Sequence, residues 1–387
     1  MLNFNYMVST RVFFGRNSIV YLGEELKQYG KRILFVYGKG SIRKTGLYET
    51  VIDIFLKNNM VYYELSGVQP NPRISHVREG IKLCREHDIE CIVAVGGGSV
   101  IDCAKTIATG YYHDGDPWDL FLLGDSSVKK ALPIGTVLTF TGTGSEMNGN
   151  AVISNEQTEE KLAIHKDILR PRFSLLDPTY TFSVPRNQTA AGTVDIFSHI
   201  LEQYFSPTKD AFVQNRMAEG LLKTCIQYGP VVLQEPANYE ARAQLMWTSS
   251  IALNGLLGYG RVSDWATHGI EHALSAVDDV THGVGLAILT PAWMEYVLTD
   301  ETREKFVEYA RNVWQIDGKN EVTVAKKGIV KTREFFTSLG MPQTLRDVGV
   351  KQNDLEKMAE KTVSHGDVGK FKKLGKQDVF TILKNAF

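Results

Sequence analysis

Two short runs, RILFVYG (32–38) and CIVAVGG (91–97), are apolar at nearly every position and end in glycine. A strand with one face in water alternates apolar and polar residues. A continuously apolar strand needs cover on both faces, which a parallel sheet between helices provides. Between these runs, residues 46–59 and 73–87 carry apolar side chains at helical spacing. ALPIGTVLTF (131–140) and FSLLDP (173–178) are further strand candidates. This alternation predicts an α/β fold with a Rossmann-like parallel sheet. After Pro185 the texture changes. Residues 186–206, 210–228, 239–257, 262–276, 302–316, 322–338 and 353–364 all read as helical, and β-branched runs nearly vanish. The expected division is an α/β domain over 1–183 and an all-helical domain over 184–387. A length of 387 residues suits two domains at roughly 100–200 residues each.

Composition narrows the partners. The chain is 43% hydrophobic and 22% charged, which rules out a disordered or fibrous protein. Lys and Arg total 43 against 44 Asp and Glu, so the net charge of -1 gives no long-range pull toward nucleic acid or an anionic membrane. No apolar run approaches the ~20 residues that span a bilayer, and the first residues do not read as a signal peptide. Cys84, Cys91, Cys103 and Cys225 form no CxxC pair and no disulfide framework. A cytoplasmic protein with buried thiols is expected.

Three segments in the first half carry glycine at strand ends. In Val95–Lys105, a strand runs into Gly96-Gly97-Gly98 and opens a helix at Ser99. Glycines admit an anion close to the backbone, and a helix N-terminus offers free N–H groups, so this geometry suits a pyrophosphate. It is neither GxGxxG nor a P-loop, and a plain tight turn is the other reading. After the first run comes Tyr37-Gly38-Lys39-Gly40-Ser41. NAD-binding folds usually place an acid there for the ribose diol. Glycine in that place, with Lys39 and Ser41 beside it, favours NADP(H); a plain loop with a solvated lysine is the other reading. The third segment, Thr139–Glu146, groups hydroxyls and glycines after a strand, either to contact phosphate or the nicotinamide amide or merely as a turn.

Histidines concentrate in the second half. Asp195 and His199 stand at i and i+4, as do His268 and His272, and His282 follows ten residues later. Residues four apart share a helix face and can converge on one ion. One Asp and three His suit a borderline divalent metal such as Fe(II) or Zn(II), and no thiolate takes part; helix-face histidines satisfied by hydrogen bonds are the other reading. HExxH is absent because Gly269 occupies its acidic slot, but His268–His272 matches HxxEH, with Glu271 as the acid of a metallohydrolase.

Together these residues resemble the iron-containing (group III) alcohol dehydrogenase family and are most similar to its NADPH-dependent butanol dehydrogenase branch. The resemblance spans almost the whole chain. It is carried by Phe13-Phe14-Gly15, Pro70-Asn71-Pro72, Gly96 to Asp102, Thr139 to Glu146, Leu176-Asp177-Pro178, Gly192 to Glu202 and His268 to Gly285. It implies an N-terminal dinucleotide domain, a C-terminal helical metal-binding domain, and a metal held by Asp195, His199, His268 and His282. His272 matches a histidine near the metal and substrate that is not a main ligand. The implied cofactor contacts are Gly38, Ser41, Asn71, Gly97, Gly98, Ser99, Asp102, Thr139, Asn148 and Lys161. Asn148 departs from the family, whose other members carry threonine there.

The implied activity is metal-dependent hydride transfer between NADP(H) and short primary alcohols or aldehydes such as butanol and butanal. His272 either relays the proton or only shapes the pocket. Trp265, Phe140, Val152 and Leu257 lie near the motifs and either line an apolar pocket or belong to the core. The partners implied are a small-molecule substrate and a second copy of the chain, with no nucleic acid and no membrane. Competing readings are a glycerol or diol dehydrogenase, a dehydroquinate synthase-like lyase of the same superfamily, and a non-catalytic metal- or nucleotide-binding protein.

Overall fold

The computed structural model describes residues 1–387. Its first part contains β1 (Arg11–Phe14), α1 (Leu22–Leu26), β2 (Arg32–Tyr37), α2 (Ser41–Lys44), α3 (Leu47–Lys57), β3 (Val61–Leu65), α4 (Ile74–Glu86), β4 (Cys91–Gly96), α5 (Gly98–Gly110), α6 (Asp119–Leu123), β5 (Ile134–Leu138), β6 (Asn150–Asn155), β7 (Glu160–His165) and β8 (Phe173–Leu176). Helices follow: α7 (Arg186–Tyr204), α8 (Phe212–Gln234), α9 (Tyr239–Leu253), α10 (Ala266–Asp278), α11 (His282–Val297), α12 (Arg303–Trp314), α13 (Glu321–Ser338), α14 (Leu355–Thr362) and α15 (Lys376–Asn385). No helix is long and apolar enough to cross a membrane.

The chain forms two compact units. One holds Met7–Val184 and Ala237–Asn254; the other holds Met1–Tyr6, Pro185–Pro236 and Gly255–Phe387. The main crossing at Val184–Pro185 lies one residue from the boundary expected at 183/184. Two short segments, however, group against chain order. Helix α9 belongs to the α/β unit, where Trp247 meets Phe14 edge-on at 5.8 Å and Tyr239 underlies Arg16 at 4.1 Å. Met1–Tyr6 belongs to the helical unit, where Leu2 N donates to Gly260 O at 2.8 Å and Phe4 and Tyr6 pack on Tyr259. Both groupings rest on contacts between residues far apart in sequence, which no local period encodes.

In the α/β unit, six parallel strands lie in the order β1-β8-β5-β4-β2-β3. The apolar runs are buried on both faces, as the sequence predicts. Ile33, Phe35, Cys91, Val93 and Val95 face α1 and α3, whereas Leu34, Val36, Ile92 and Ala94 face α4 and α5. Neighbouring strands β2 and β4 therefore send their following helices to opposite faces. This is a topological switch point, and ligands of open α/β sheets bind outside the strand ends there. The glycine segments 38–41 and 96–98 leave those two strand ends. An antiparallel hairpin of β6 and β7, not expected from the sequence, follows the Thr139–Glu146 segment.

In the helical unit, α7 is buried continuously from Thr189 to Tyr204, including Asp195, Ser198, His199, Glu202 and Gln203. Buried polar groups cost free energy unless partnered, so this stretch demands partners on neighbouring helices. Helix α11 is one of these. A Cβ on Gly283 would lie 2.1 Å from Ala191 O, so only glycine lets the start of α11 reach the backbone of α7.

Candidate metal centre and nucleotide-binding loops

Four side chains from three helices converge in the helical unit. Asp195 and His199 come from successive turns of α7, His268 from the first turn of α10, and His282 is the first residue of α11. Asp195 Oδ1 lies 3.5 Å from His199 Nδ1, 3.9 Å from His268 Nε2 and 3.5 Å from His282 Nε2. One ligand atom from each residue falls within a mutual 4.8 Å. Ligands on bonds of about 2.1 Å around one tetrahedral ion stand about 3.4 Å apart, so the spacing suits a shared cation. Trp265, held at φ 65, brings its ring within 5.5 Å of His268 and 6.3 Å of His199.

Two buried glutamates orient the set. Glu202 Oε2 bonds His268 Nδ1, and its Oε1 accepts from the backbone N–H groups of Thr267 (2.6 Å) and His268 (3.2 Å). Glu271 bonds His282 Nδ1 through one oxygen and accepts Ser275 Oγ through the other. A carboxylate on Nδ1 leaves the Nε2 lone pair for a metal. His268 Nε2 is accordingly buried with no hydrogen-bond partner. Burial disfavours a charged His268, but Glu202, then Asp195 and Glu271, outweigh this and raise its pKa. Burial would likewise raise Glu202, but His268 outweighs it and holds the carboxyl below its ordinary value. The donors fit Fe(II) or Zn(II): three imidazoles, one carboxylate, and a buried nitrogen with nothing else to bind.

The sequence did not single out Glu202. It did single out Glu271, but for the wrong chemistry. That carboxylate is fully buried against His282 and Ser275, so it cannot act as the base of an HxxEH hydrolase. The available signal was chemical: a metal-ligating imidazole needs an acceptor on its other nitrogen. His272 is half-buried one turn beyond His268, its ring 5.9 Å from His282. Leu257 is fully buried and belongs to the core, while Phe140, Val152 and Trp265 are partly exposed.

The expected nucleotide-binding residues all lie in the α/β unit. Gly38 and Ser41 follow β2, and Gly97, Gly98 and Ser99 lead into α5. Thr139 N donates to Gly96 O at 3.0 Å, which seats the third segment beside the second. A Cβ on Gly98 would lie 2.3 Å from Thr143 Oγ1. Asn71 stands at φ 50 between β3 and α4, and Lys161 is buried on β7. Asp102 and Asn148 are already engaged. Asp102 accepts Ser145 Oγ (2.6 Å) and Val152 N (3.1 Å), and burial raises its pKa despite nearby Lys105. The Asn148 amide donates to Thr143 O and Gly144 O and accepts from Lys105 and Asn150 N, so it braces the loop from within.

A cluster of four side chains that could hold a metal, in one unit, and a glycine-lined switch point, in the other, are each features of a metal-dependent dehydrogenase. Residues 9–178 match the family model of iron-containing alcohol dehydrogenase, and 189–387 match that of the Fe-containing alcohol dehydrogenase family, C-terminal. The chain belongs to the iron-containing alcohol dehydrogenase family and is an alcohol dehydrogenase. It is 52% identical to the NADH-dependent butanol dehydrogenase A of Clostridium acetobutylicum, with 100% of both chains covered. It is 41% identical to the NADPH-dependent aldehyde reductase YqhD of Escherichia coli, over 95% of this chain and 94% of that protein. The crystal structure of NADH-dependent butanol dehydrogenase A from Thermotoga maritima superposes with a TM-score of 0.95 at 40% identity, covering 100% and 99% of the two chains. The family implies a metal and a nicotinamide nucleotide.

Proposed function

We propose that this enzyme reduces short aldehydes such as butanal to primary alcohols with NADPH, and catalyses the reverse oxidation, using Fe(II) at Asp195, His199, His268 and His282. The observation that carries the metal assignment is the convergence of those four side chains with Glu202 and Glu271 behind two of the imidazoles. The metal when bound supplies Lewis-acid polarisation of the substrate oxygen, and the nucleotide supplies or takes the hydride. The residues' task is to hold both without needing to rearrange. Glu202 and Glu271 fix the imidazoles, and the glycines at β2 and β4 let the nucleotide phosphates approach backbone N–H groups. His272 relays the proton between the substrate oxygen and solvent. A His272→Ala enzyme with normal turnover and an unaltered pH profile would eliminate the relay and leave His272 as a pocket wall.

NADPH is favoured over NADH by the end of β2. Gly38 stands where an NAD enzyme needs a carboxylate, and a Cβ there would meet nothing closer than Val68 O at 3.6 Å. The neighbouring strand offers Glu64, but its carboxylate is held by Tyr37 Oη (2.5 Å), Tyr48 Oη (2.8 Å) and Arg43 (3.3 Å). Lys39 and Ser41 are exposed beside this turn and supply donors for a 2′-phosphate.

The test is direct. Protein purified without chelator is analysed for metal, stripped, and reloaded with Fe(II) or Zn(II). Turnover of butanal is then compared with NADPH and NADH. Loss of activity on stripping, recovery with Fe(II) and preference for NADPH are expected. Higher activity with Zn(II) would replace the metal assignment, and equal efficiency with NADH would overturn the reading of Gly38. A homodimer belongs to the same proposal and is checked by light scattering.

A further inference from the structure

Lys105 lies two turns into α5. It has no solvent-exposed surface. Its ammonium donates to Ser145 Oγ (2.7 Å), Asn148 Oδ1 (3.0 Å) and Asn150 O (2.7 Å). An ammonium has three protons to give, and all three acceptors lie within residues 145–150. Burial lowers the lysine to about 7, against the opposing pull of Asp102 and Glu146. Desolvating a charge costs several kcal/mol, and an apolar side chain of similar length would avoid that cost. The buried charge therefore does something a methionine could not.

What it does follows from where its acceptors lead. Ser145 Oγ passes the connection on to Asp102 Oδ1. Asp102 Oδ2 accepts Val152 N, which ties in the first strand of the hairpin. Asn148, held by Lys105, grips Thr143 O and Gly144 O. Thr143 in turn is the residue packed against Gly98 at the start of α5. On its far side the loop is held by Ser249, whose Oγ accepts Gly142 N at 3.0 Å and whose carbonyl oxygen would lie 2.7 Å from a Cβ on Gly144. One ammonium thus closes a chain of contacts from the interior of α5 back to its glycine-lined N-terminus.

We propose that Lys105 is a positioning residue of the nucleotide pocket: it pins the 139–150 loop against the N-terminus of α5 and so sets affinity for a pyrophosphate-bearing dinucleotide without touching it. This rests on the reading that the Gly96–Ser99 turn takes that nucleotide.

The test uses the full-length, metal-loaded enzyme and two variants, Lys105→Met and Lys105→Ala, with NADPH as the probe. Binding is followed by NADPH fluorescence. Both variants are expected to bind NADPH about tenfold more weakly, because the loop's acceptors lose their buried partner. The KM for NADPH should rise in step, while kcat stays within about threefold and metal content matches wild type. A short alkylamine added to Lys105→Ala should restore affinity in part, which a merely loosened core would not do. Wild-type affinity in a folded Lys105 variant, or an equal fall in kcat with no change in KM, would overturn the proposal. Should both lysine variants fail to fold, Ser145→Ala decides. It removes only the bridge to Asp102 and is expected to weaken NADPH about threefold, and unchanged affinity there would also overturn the proposal. If the wild-type enzyme itself bound no dinucleotide, the reading of the glycine turn would fall, a result distinct from any Lys105 outcome.

Discussion

The two units of this chain build their candidate ligand sites by opposite means. In the α/β unit the work is done by what is missing. Glycines at the ends of β2 and β4 remove side chains so that backbone N–H groups are accessible, and the strands behind them are apolar at nearly every position. In the helical unit, polar side chains are buried along α7 and must be satisfied one by one, by α10, α11 and two glutamates. A site made of backbone depends on how closely neighbouring segments approach. A site made of buried side chains depends on the charge and partner of each group. Substitutions should therefore fail differently in the two units.

The largest separation is expected at the metal ligands. Asp195→Ala or His282→Ala should abolish retained metal and lower turnover at least about a thousandfold, since several kcal/mol of polarisation are lost. NADPH binding, read by fluorescence, should stay within about twofold of wild type. Coordinate loss of both ligands from one ligand substitution would break the comparison. Next in size are the glutamates. Glu202→Gln and Glu271→Gln keep shape and remove charge. Each should weaken metal affinity about 10–100-fold, measured by competition with a chromogenic chelator.

The corresponding test in the α/β unit is steric. Gly98→Ala places a methyl group 2.3 Å from Thr143 Oγ1, and the braced loop can give little. NADPH affinity should fall about tenfold with metal content unchanged, and a second change, Thr143→Ala, should recover part of it because it removes the clashing atoms. If Gly98→Ala were neutral alone, close approach would not be what that glycine provides.

These differences also explain what the sequence showed and what it hid. β2 and β4 were legible because a strand buried on both faces has a composition of its own, and α3 and α4 because each has one wet face. Helix α11 was not anticipated. Its sequence HGVGLAILTPAWMEYV carries Gly283, Gly285 and an internal Pro291, and twelve of its sixteen residues are buried, so no amphipathic period exists to detect. The β6–β7 hairpin was missed because its strands mix polar and apolar residues in short runs. The candidate ligand set was legible only in part: the i, i+4 spacing of Asp195/His199 and His268/His272 pointed to an ion, and the family resemblance chose His268 and His282 over His272. Glu202 resembles any acidic residue near the end of a helix, and only the imidazole beside it reveals that it must be buried.

The smallest expected effect tests the helical unit just behind the ligands, where Asp264 N donates to Glu202 O at 2.9 Å. Asp264 is buried ahead of α10, where its carboxylate accepts Ala266 N (2.9 Å), Lys370 N (2.9 Å) and Phe371 N (2.6 Å). Burial, aided by Glu202, pushes its pKa up to about 6 from 3.8, and the three N–H groups only partly offset this. A carboxyl whose pKa is higher folded than unfolded favours the folded state below its unfolded pKa. That contribution is lost as pH rises through the folded value. Asp264→Asn removes the titration and keeps an acceptor of the same shape. In metal-free protein, the unfolding midpoint of Asp264→Asn should therefore move upward relative to wild type as pH rises from 4 toward 6. About 1 kcal/mol of this is expected between pH 4 and 5, roughly 2–4 °C for a unit of this size. A pH-independent difference would mean that the carboxylate's hydrogen bonds fully offset its burial. Buried charge in this unit would then be better compensated than the comparison with the α/β unit assumes.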